Sequence, residues 1–378
     1  MKARHVVVNG RFLTRPPTGV DRVAEEILAA WSRRLGTDEG LRARLSLSVA
    51  TPAGARRLDL PHVTERRIGR GAGHAWEQFE LPRALGDAWL VNPCNTGPLA
   101  VRRSLTILHD AQVWQTPQAY GRAFRLWYRL LLPLLGRRSA LVSTVSRFSK
   151  GELERFGVVP PGKIVVAPNG CDHIDRIAPD PTILARSGLA AGRYFLAIGS
   201  LSPHKNIATL LKAEALRARR DLPIVLAGGA NPRIFSGTGL EGETGVRHLG
   251  RVSDGELRAL YEGATALLFP SFFEGFGLPP LEAMRCGCPV IASTAPAVVE
   301  SCGEAALYAD PHDPSAFAAR MDELAGDEAL RARLAAAGRR QSDGFTWART
   351  AERLLDALLD GGALAPAPAG APSPVRPS

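Results

Sequence analysis

Short apolar runs alternate along the chain with longer stretches whose apolar positions recur every three or four residues. In the first half the runs are HVVVNG (5–10), LSLSVA (45–50), AWLVNP (88–93), LTILHD (105–110), ALVSTVS (140–146) and KIVVAP (163–168). The second half repeats the alternation with RYFLAIGS (193–200), LPIVLAGG (222–229), VRHLGRV (246–252), ALLFPS (266–271), PVIAS (289–293) and ALYAD (306–310). Amphipathic segments such as GVDRVAEEILAAWSRR (19–34), KNIATLLKAEALRARR (205–220) and SDGELRALYEGA (253–264) separate them. Strands alternating with helices read as a parallel sheet flanked by helices. Two such blocks predict an α/β protein of two doubly wound, Rossmann-like domains.

The pattern breaks at DRIAPDPTILARSG (175–188), where prolines and charges cluster. The expected division is therefore a first domain over 1–178 and a second over 179–345. FTWARTAERLLDALLD (345–360) predicts an amphipathic helix over 346–360, expected to cross back onto the first domain. The Ala/Pro/Gly-rich stretch 361–378 is expected to be a disordered tail.

Composition adds little to the fold and more to the setting. With 378 residues and 45% hydrophobic content, the chain suits a soluble protein with sizeable cores. Five cysteines form no CxxC pair and no metal-ligand spacing, which favours reduced structural thiols and a cytosolic compartment. The N-terminal MKARHVVVNGRFL carries no signal-peptide pattern, and no run of about 18 uncharged apolar residues is present. The net charge of +10 is lopsided: residues 1–180 carry +11 and residues 181–378 carry −1. A basic half invites an anionic partner, although an arginine-rich composition with solvated faces would look the same. RAFRLWYRLLLPLLGRRSA (122–140) reads equally as a basic amphipathic segment for a membrane interface and as a long core helix kinked at Pro133.

Ligands of open parallel sheets bind beyond the carboxyl ends of the strands. Gly19, His109, Asn169, Lys205 and Glu274 all follow apolar runs, so two facing domains would place them on the walls of one cleft. PSFFEGFGLPPLEAM (270–284) is the densest such stretch. Gly275 and Gly277 mark a loop holding Glu274, and Pro280 suits the first turn of a helix that then begins near Glu282. The arrangement could present two carboxylates to one ligand across a helix N-terminus.

FPSFFEGFGLPPLEAMRCGCPVIAS resembles the donor-binding signature of GT-B glycosyltransferases of family 4, the retaining group with a Glu-x7-Glu motif. TGVDR (18–22), LHD (108–110), TVSRFSKGELERFG (144–157), PNG (168–170), GSLSPHKN (199–206), LGRVSDGELRALYEGA (249–264) and FTW (345–347) agree in order. The resemblance covers all but the tail. It implies a GT-B architecture and a nucleotide-sugar donor in the cleft, with Gly19 facing that donor. Glu282 would hold the ribose hydroxyls, and Glu274 the transferred sugar near its anomeric carbon. His109 would help position that sugar, and Lys205 would neutralise the departing phosphate. Backbone groups around Arg251 and Val252 would hold the base. The N–H groups of Phe276, Gly277 and Leu278 can cradle the diphosphate, because glycine permits close approach and a helix N-terminus favours anions. Relatives often carry arginine where this chain has Ser200, which would contact the donor through one hydrogen bond but without charge. Either Lys205 then bears more of the leaving-group stabilisation or a different arginine swings in. Asp21 stands where an amide is common, and could be simply a first-turn helix residue.

The expected activity is retaining transfer of a hexosyl unit, mannosyl mildly favoured, to a hydroxyl of a lipid-linked or growing surface-polysaccharide acceptor. No metal cofactor is expected, since Lys205 and the helix dipole supply positive charge; DPHDP (310–314) looks like a turn. Expected partners are the nucleotide sugar, the acceptor and an anionic membrane surface on the cytoplasmic side. No aromatic-basic readout motif points to nucleic acid. A sugar-nucleotide epimerase and a non-catalytic nucleotide-sugar scaffold are the competing readings.

Overall fold

The computed structural model describes residues 4–199, 202–229 and 245–360, apart from the side chains of Ala119 and Asp360. Two sheets organise them. The first runs β3-β2-β1-β4-β5-β6-β7, with β1 (Arg4–Asn9), β2 (Leu45–Thr51), β3 (Thr64–Arg67), β4 (Trp89–Asn92), β5 (Ser104–Ile107), β6 (Leu141–Thr144) and β7 (Ile164–Val166). The second runs β10-β9-β8-β11-β12-β13, with β8 (Phe195–Ile198), β9 (Ile224–Ala227), β10 (Val246–Gly250), β11 (Ala266–Phe269), β12 (Val290–Ser293) and β13 (Leu307–Ala309). Every pairing is parallel, as in Val6↔Leu47 and Leu267↔Leu196. Helices cover both faces, so the central strands are buried and mostly apolar: all four residues of β4, β9 and β11 are buried, and only Asn92 among them is polar.

One strand escapes the apolar pattern. β3 is Thr-Glu-Arg-Arg, paired only with β2 at the sheet edge. An edge strand with no buried residue has no apolar periodicity to show, and its charges also discourage pairing with another chain. Counting it, the fourth and sixth apolar runs, which lead to His109 and Asn169, become β5 and β7.

The helix Gly19–Thr37 packs Val23, Ile27, Leu28 and Trp31 onto β1 and β2. Its first turn is secured by Asp21, which accepts from the Thr18 N–H at 2.9 Å and the Thr18 hydroxyl at 2.7 Å, and pairs with Arg15 at 2.7 Å. Asp21 is thus a buried cap that does not line the cleft, and the cap positions Gly19. The helix Trp347–Asp360 follows the second sheet in sequence but buries Trp347, Leu354 and Leu358 in the core of the first. The Trp31 indole donates to the Ala351 carbonyl at 2.9 Å across that junction. The helix Arg122–Arg138 runs through Pro133 and buries Leu131, Leu132 and Leu135, while Leu126 and Leu130 stand 63% and 59% exposed beside exposed Phe124, Trp127 and Leu134. Among the described residues no helix is long and apolar enough to cross a membrane.

Candidate active site

The carboxyl ends of the two sheets face one another across a cavity of about 590 Å³. In the second sheet the strand order reverses between β8 and β11, and the segments leaving these two strands carry Lys205 and Glu274. Lys205 Nζ lies 2.7 Å from Glu274 Oε1, with the side chains 21% and 15% exposed. The Lys205 turn is set by Asn206, held in the left-handed conformation at φ 55°. Its side-chain amide donates to the carbonyls of Pro270 (3.0 Å) and Pro311 (2.7 Å).

The loop after Glu274 is gripped from the opposite domain. The Gly275 carbonyl accepts from Ser146 Oγ at 2.7 Å and Ser149 Oγ at 2.9 Å. A Cβ on Gly275 would sit 2.7 Å from the His109 carbonyl, so only glycine permits this approach. Gly277 takes φ 124° and precedes the helix Leu278–Arg285, whose first turn holds Pro279 and Pro280. Phe276, Gly277 and Leu278 line the cavity at that junction.

Glu282 lies farther into this helix than the double proline suggests. It is the fifth of eight residues, beyond the first turn, so the helix dipole contributes little there. Side-chain bonds hold it instead. Tyr261 donates its hydroxyl to Oε2 at 2.9 Å, and His173 Nε2 stands 3.1 Å from Oε1. The Trp347 indole N–H reaches His173 Nδ1 at 3.1 Å. That nitrogen must accept, so Nε2 carries the proton and donates to Glu282. Burial, reinforced by the Glu282 charge, pushes the Tyr261 phenol well above its ordinary range, keeping it a donor.

The first domain supplies the facing wall. His109 Nε2 donates to the Pro93 carbonyl at 2.7 Å, and the His109 N–H donates to Asn95 Oδ1 at 2.7 Å. Burial lowers the His109 pKa and keeps the imidazole neutral at pH 7. Burial, with the nearby Glu274 charge, raises the Asp110 carboxyl. Gly19 opens onto the cavity, where a Cβ at this position would meet nothing within 4 Å. Asn169 is buried on the same wall, and its Oδ1 has no hydrogen-bond partner. Arg22 crosses the cleft mouth to Asp254 with bonds of 2.6 and 2.8 Å.

The cavity therefore gathers Gly19, His109, Lys205, Glu274, Phe276, Gly277, Leu278 and Glu282. Arg251 is exposed and Val252 packs at the edge of the second core; neither lines the cavity, whereas Asp254 and Leu257 just beyond them do. Ser200 lies outside the described residues. Asp310 and Asp313 bond the N–H groups of His312 and Ser315 at 2.8 and 2.9 Å, as turn and cap residues do. Sequence reasoning gave no role to Arg22, His173, Tyr261 or Asp254. A polar residue paired with a partner more than twenty positions away leaves no periodic signal; the quoted stretches TGVDR and LGRVSDGELRALYEGA contain Arg22, Asp254 and Tyr261, but nothing in them shows the pairings.

Comparison with known proteins agrees with this geometry. Residues 183–341 match the family model described as glycosyl transferases group 1. O-antigen chain mannosyltransferase B of Escherichia coli is 33% identical over 270 residues, spanning 69% of this chain and 71% of that protein. Sucrose-phosphate synthase from Thermosynechococcus elongatus superposes with a TM-score of 0.75 at 19% identity, covering 96% of this chain and all of that one. Anabaena HepE in complex with UDP-glucose gives 0.72 at 19% identity, covering 94% and 99%. The two sheets and their cleft form a GT-B fold, and the chain belongs to the group 1 glycosyltransferase family.

Proposed function

We propose that this glycosyltransferase takes a hexosyl unit from a nucleotide sugar and transfers it, with retention, to a hydroxyl of a lipid-linked or growing surface polysaccharide. The Lys205–Glu274 pair at the strand-order reversal, one helix away from Glu282, carries this reading. Glu282, already oriented by Tyr261 and His173, keeps lone pairs for the ribose hydroxyls. The N–H groups of Phe276, Gly277 and Leu278 receive the diphosphate, and Gly19 leaves room for the donor opposite. Lys205 exchanges part of its contact with Glu274 for the phosphate, where charge develops as the glycosidic C–O bond breaks. Glu274 and His109 then hold the sugar hydroxyls. The acceptor oxygen attacks from the face the diphosphate leaves, and its proton passes to the departing phosphate oxygen. The segment from Arg251 and Val252 to Leu257 holds the base. Lys205 and the helix N-terminus supply the positive charge, so donor binding without added metal is expected. The similarity to an O-antigen mannosyltransferase favours mannose and a polysaccharide acceptor. The exposed Phe124, Leu126, Trp127, Leu130 and Leu134, set among arginines, support docking of the first domain on an anionic membrane at the cytoplasmic face.

A thermal-shift panel of UDP-, GDP- and dTDP-sugars, with and without magnesium, tests the donor assignment. A ligand at 100 times its dissociation constant stabilises the fold by about 2.7 kcal/mol. One nucleotide sugar should shift the wild type without metal, and Glu282→Gln should shrink that shift. No shift from any donor sinks the reading, and binding with neither transfer nor hydrolysis marks a non-catalytic scaffold. Sedimentation with anionic vesicles, lost in Leu126→Ser/Leu130→Ser, checks the membrane surface.

A further inference from the structure

A second hollow of about 470 Å³ opens beside the cleft and shares His204 with it. Gln115 and Thr116 of the first domain form one side; His204, Phe272, Phe273 and His312 of the second form the other. The Phe272 and His312 rings stack at 4.7 Å between centroids, 29° apart in plane. Phe272 is 38% exposed, an aromatic face held on a loop rather than in the core. The Phe272 N–H donates to the His204 carbonyl at 2.9 Å, which ties this ring to the turn carrying Lys205. Beyond the stacked pair a third hollow of about 460 Å³ begins, sharing Pro203, Phe272 and His312 with the second. The pair is thus a ridge between two hollows, neither of which is lined by Lys205 or Glu274.

Two polar atoms in this lining lack partners. Gln115 Oε1 and His204 Nδ1 are both buried without a hydrogen bond, although the Gln115 amide nitrogen donates to Glu152. Buried polar atoms without partners are uncommon and call for an explanation, such as a ligand that completes them. Burial and the adjacent Lys205 lower the His204 pKa, so its ring offers a neutral nitrogen. Among the described residues no Asp, Glu, Lys or Arg lines the second hollow. Such a site disfavours phosphates and ionic peptides, and suits a neutral ring with one apolar C–H face and hydroxyls at its edge.

We propose that this groove is an acceptor-glycan subsite, in which a pyranose ring packs on the Phe272–His312 face and hydrogen-bonds Gln115 Oε1 and His204 Nδ1. The assignment of the ring to an acceptor rests on the glycosyl-transfer reading above. A glycan crossing the ridge would place successive rings on its two sides, so recognition extends beyond the sugar that accepts.

The test is saturation-transfer NMR with methyl α-mannoside and α-linked manno-, gluco- and galacto-oligosaccharides of two to four units. Each is titrated with and without GDP, UDP or dTDP. At least one oligosaccharide should bind tenfold more tightly than the monosaccharide. Phe272→Ala and His312→Ala should each weaken it at least tenfold, and Phe272→Tyr should stay within twofold of wild type. Nucleoside diphosphate affinity should be unchanged in all three, which also shows that they fold. The subsite is overturned if no oligosaccharide binds the wild type in either state, or if Phe272→Ala binds as well as wild type. Failure of the wild type to bind GDP, UDP or dTDP overturns the donor reading instead, independently of the oligosaccharide result.

Discussion

On the wall built by the second sheet, Lys205 and Glu274 pair with their side chains partly open to the cavity, and Glu282 is braced by Tyr261 and His173. On the wall built by the first sheet, His109 is held neutral by burial, Asp110 is pushed toward its neutral form, and Asn169 is an uncharged amide. The charged residue nearest the Gly19 turn, Asp21, is neutralised by Arg15 beneath the helix start. Both sheets use the same order around their first strand, with the next-but-two strand beside it. The difference therefore comes from side chains rather than topology. On the proposed reading an anionic diphosphate would be drawn to Lys205 and the helix start on one wall. On the other, the fixed charge that lines the cavity, Arg22, is already paired with Asp254, leaving His109 and Asn169 as neutral groups for a hydroxyl-rich ligand.

Four substitutions would break or sharpen this contrast. Lys205→Ala should have the largest effect, lowering kcat about 10²–10³-fold, the range found for losing one group that stabilises transition-state charge. Single-turnover kinetics would show it; a larger loss from His109→Gln would reverse the roles of the walls. Gly275→Ala comes next, because its Cβ would lie 2.7 Å from the His109 carbonyl and 3.0 Å from Asp110 Cβ, forcing the walls apart. A displacement near 1 Å costs about 10²-fold in rate, while the nucleotide dissociation constant, read by calorimetry, should stay within about twofold because the proposed nucleotide contacts, unlike those to the sugar, all lie on the second-sheet wall.

Glu282→Gln should weaken the donor roughly tenfold, about 1.5 kcal/mol for a hydrogen bond to a charged group. Equal weakening of acceptor binding would contradict a donor-only role. The smallest effect is a pH dependence at Asp110. Its folded pKa is raised above the ordinary 3.8, so the native state binds its proton more tightly than the unfolded chain does. Stability from this group is therefore greatest below pH 3.8 and declines as pH rises through the folded value. Asp110→Asn should match wild type in Tm near pH 3.5 and exceed it at pH 7, by about 1.4 kcal/mol for every tenfold gain in proton affinity on folding. A Tm difference that stays flat with pH would rule out the burial effect.

Much of the architecture was legible because the central strands are buried on both faces and so appear as short, mostly apolar runs. The edge strand Thr64–Arg67 was invisible for the opposite reason. In the site, Gly275 and Gly277 correctly marked a loop, and the prolines marked a helix start. The register of Glu282 was misplaced because Leu278, ahead of the prolines, already belongs to the helix. Arg251 and Val252 fall just short of the cavity that Asp254 and Leu257 reach.

The sequence by itself determined the alternation of strands and helices, the parallel class, the loop at Glu274 and the family to which the motifs belong. The alternation and the parallel class are local features that periodicity records, and the loop shows in its glycines and prolines; the family came instead from the resemblance of motifs. Tertiary structure alone decided that Lys205 meets Glu274 across 69 positions, that Ser146 and Ser149 hold the Gly275 carbonyl, and that Trp347 orients His173 toward Glu282. Such contacts depend on the order of strands in each sheet and on the closure of one domain against the other. Neither is encoded in the spacing of apolar residues, because every strand order buries the same runs.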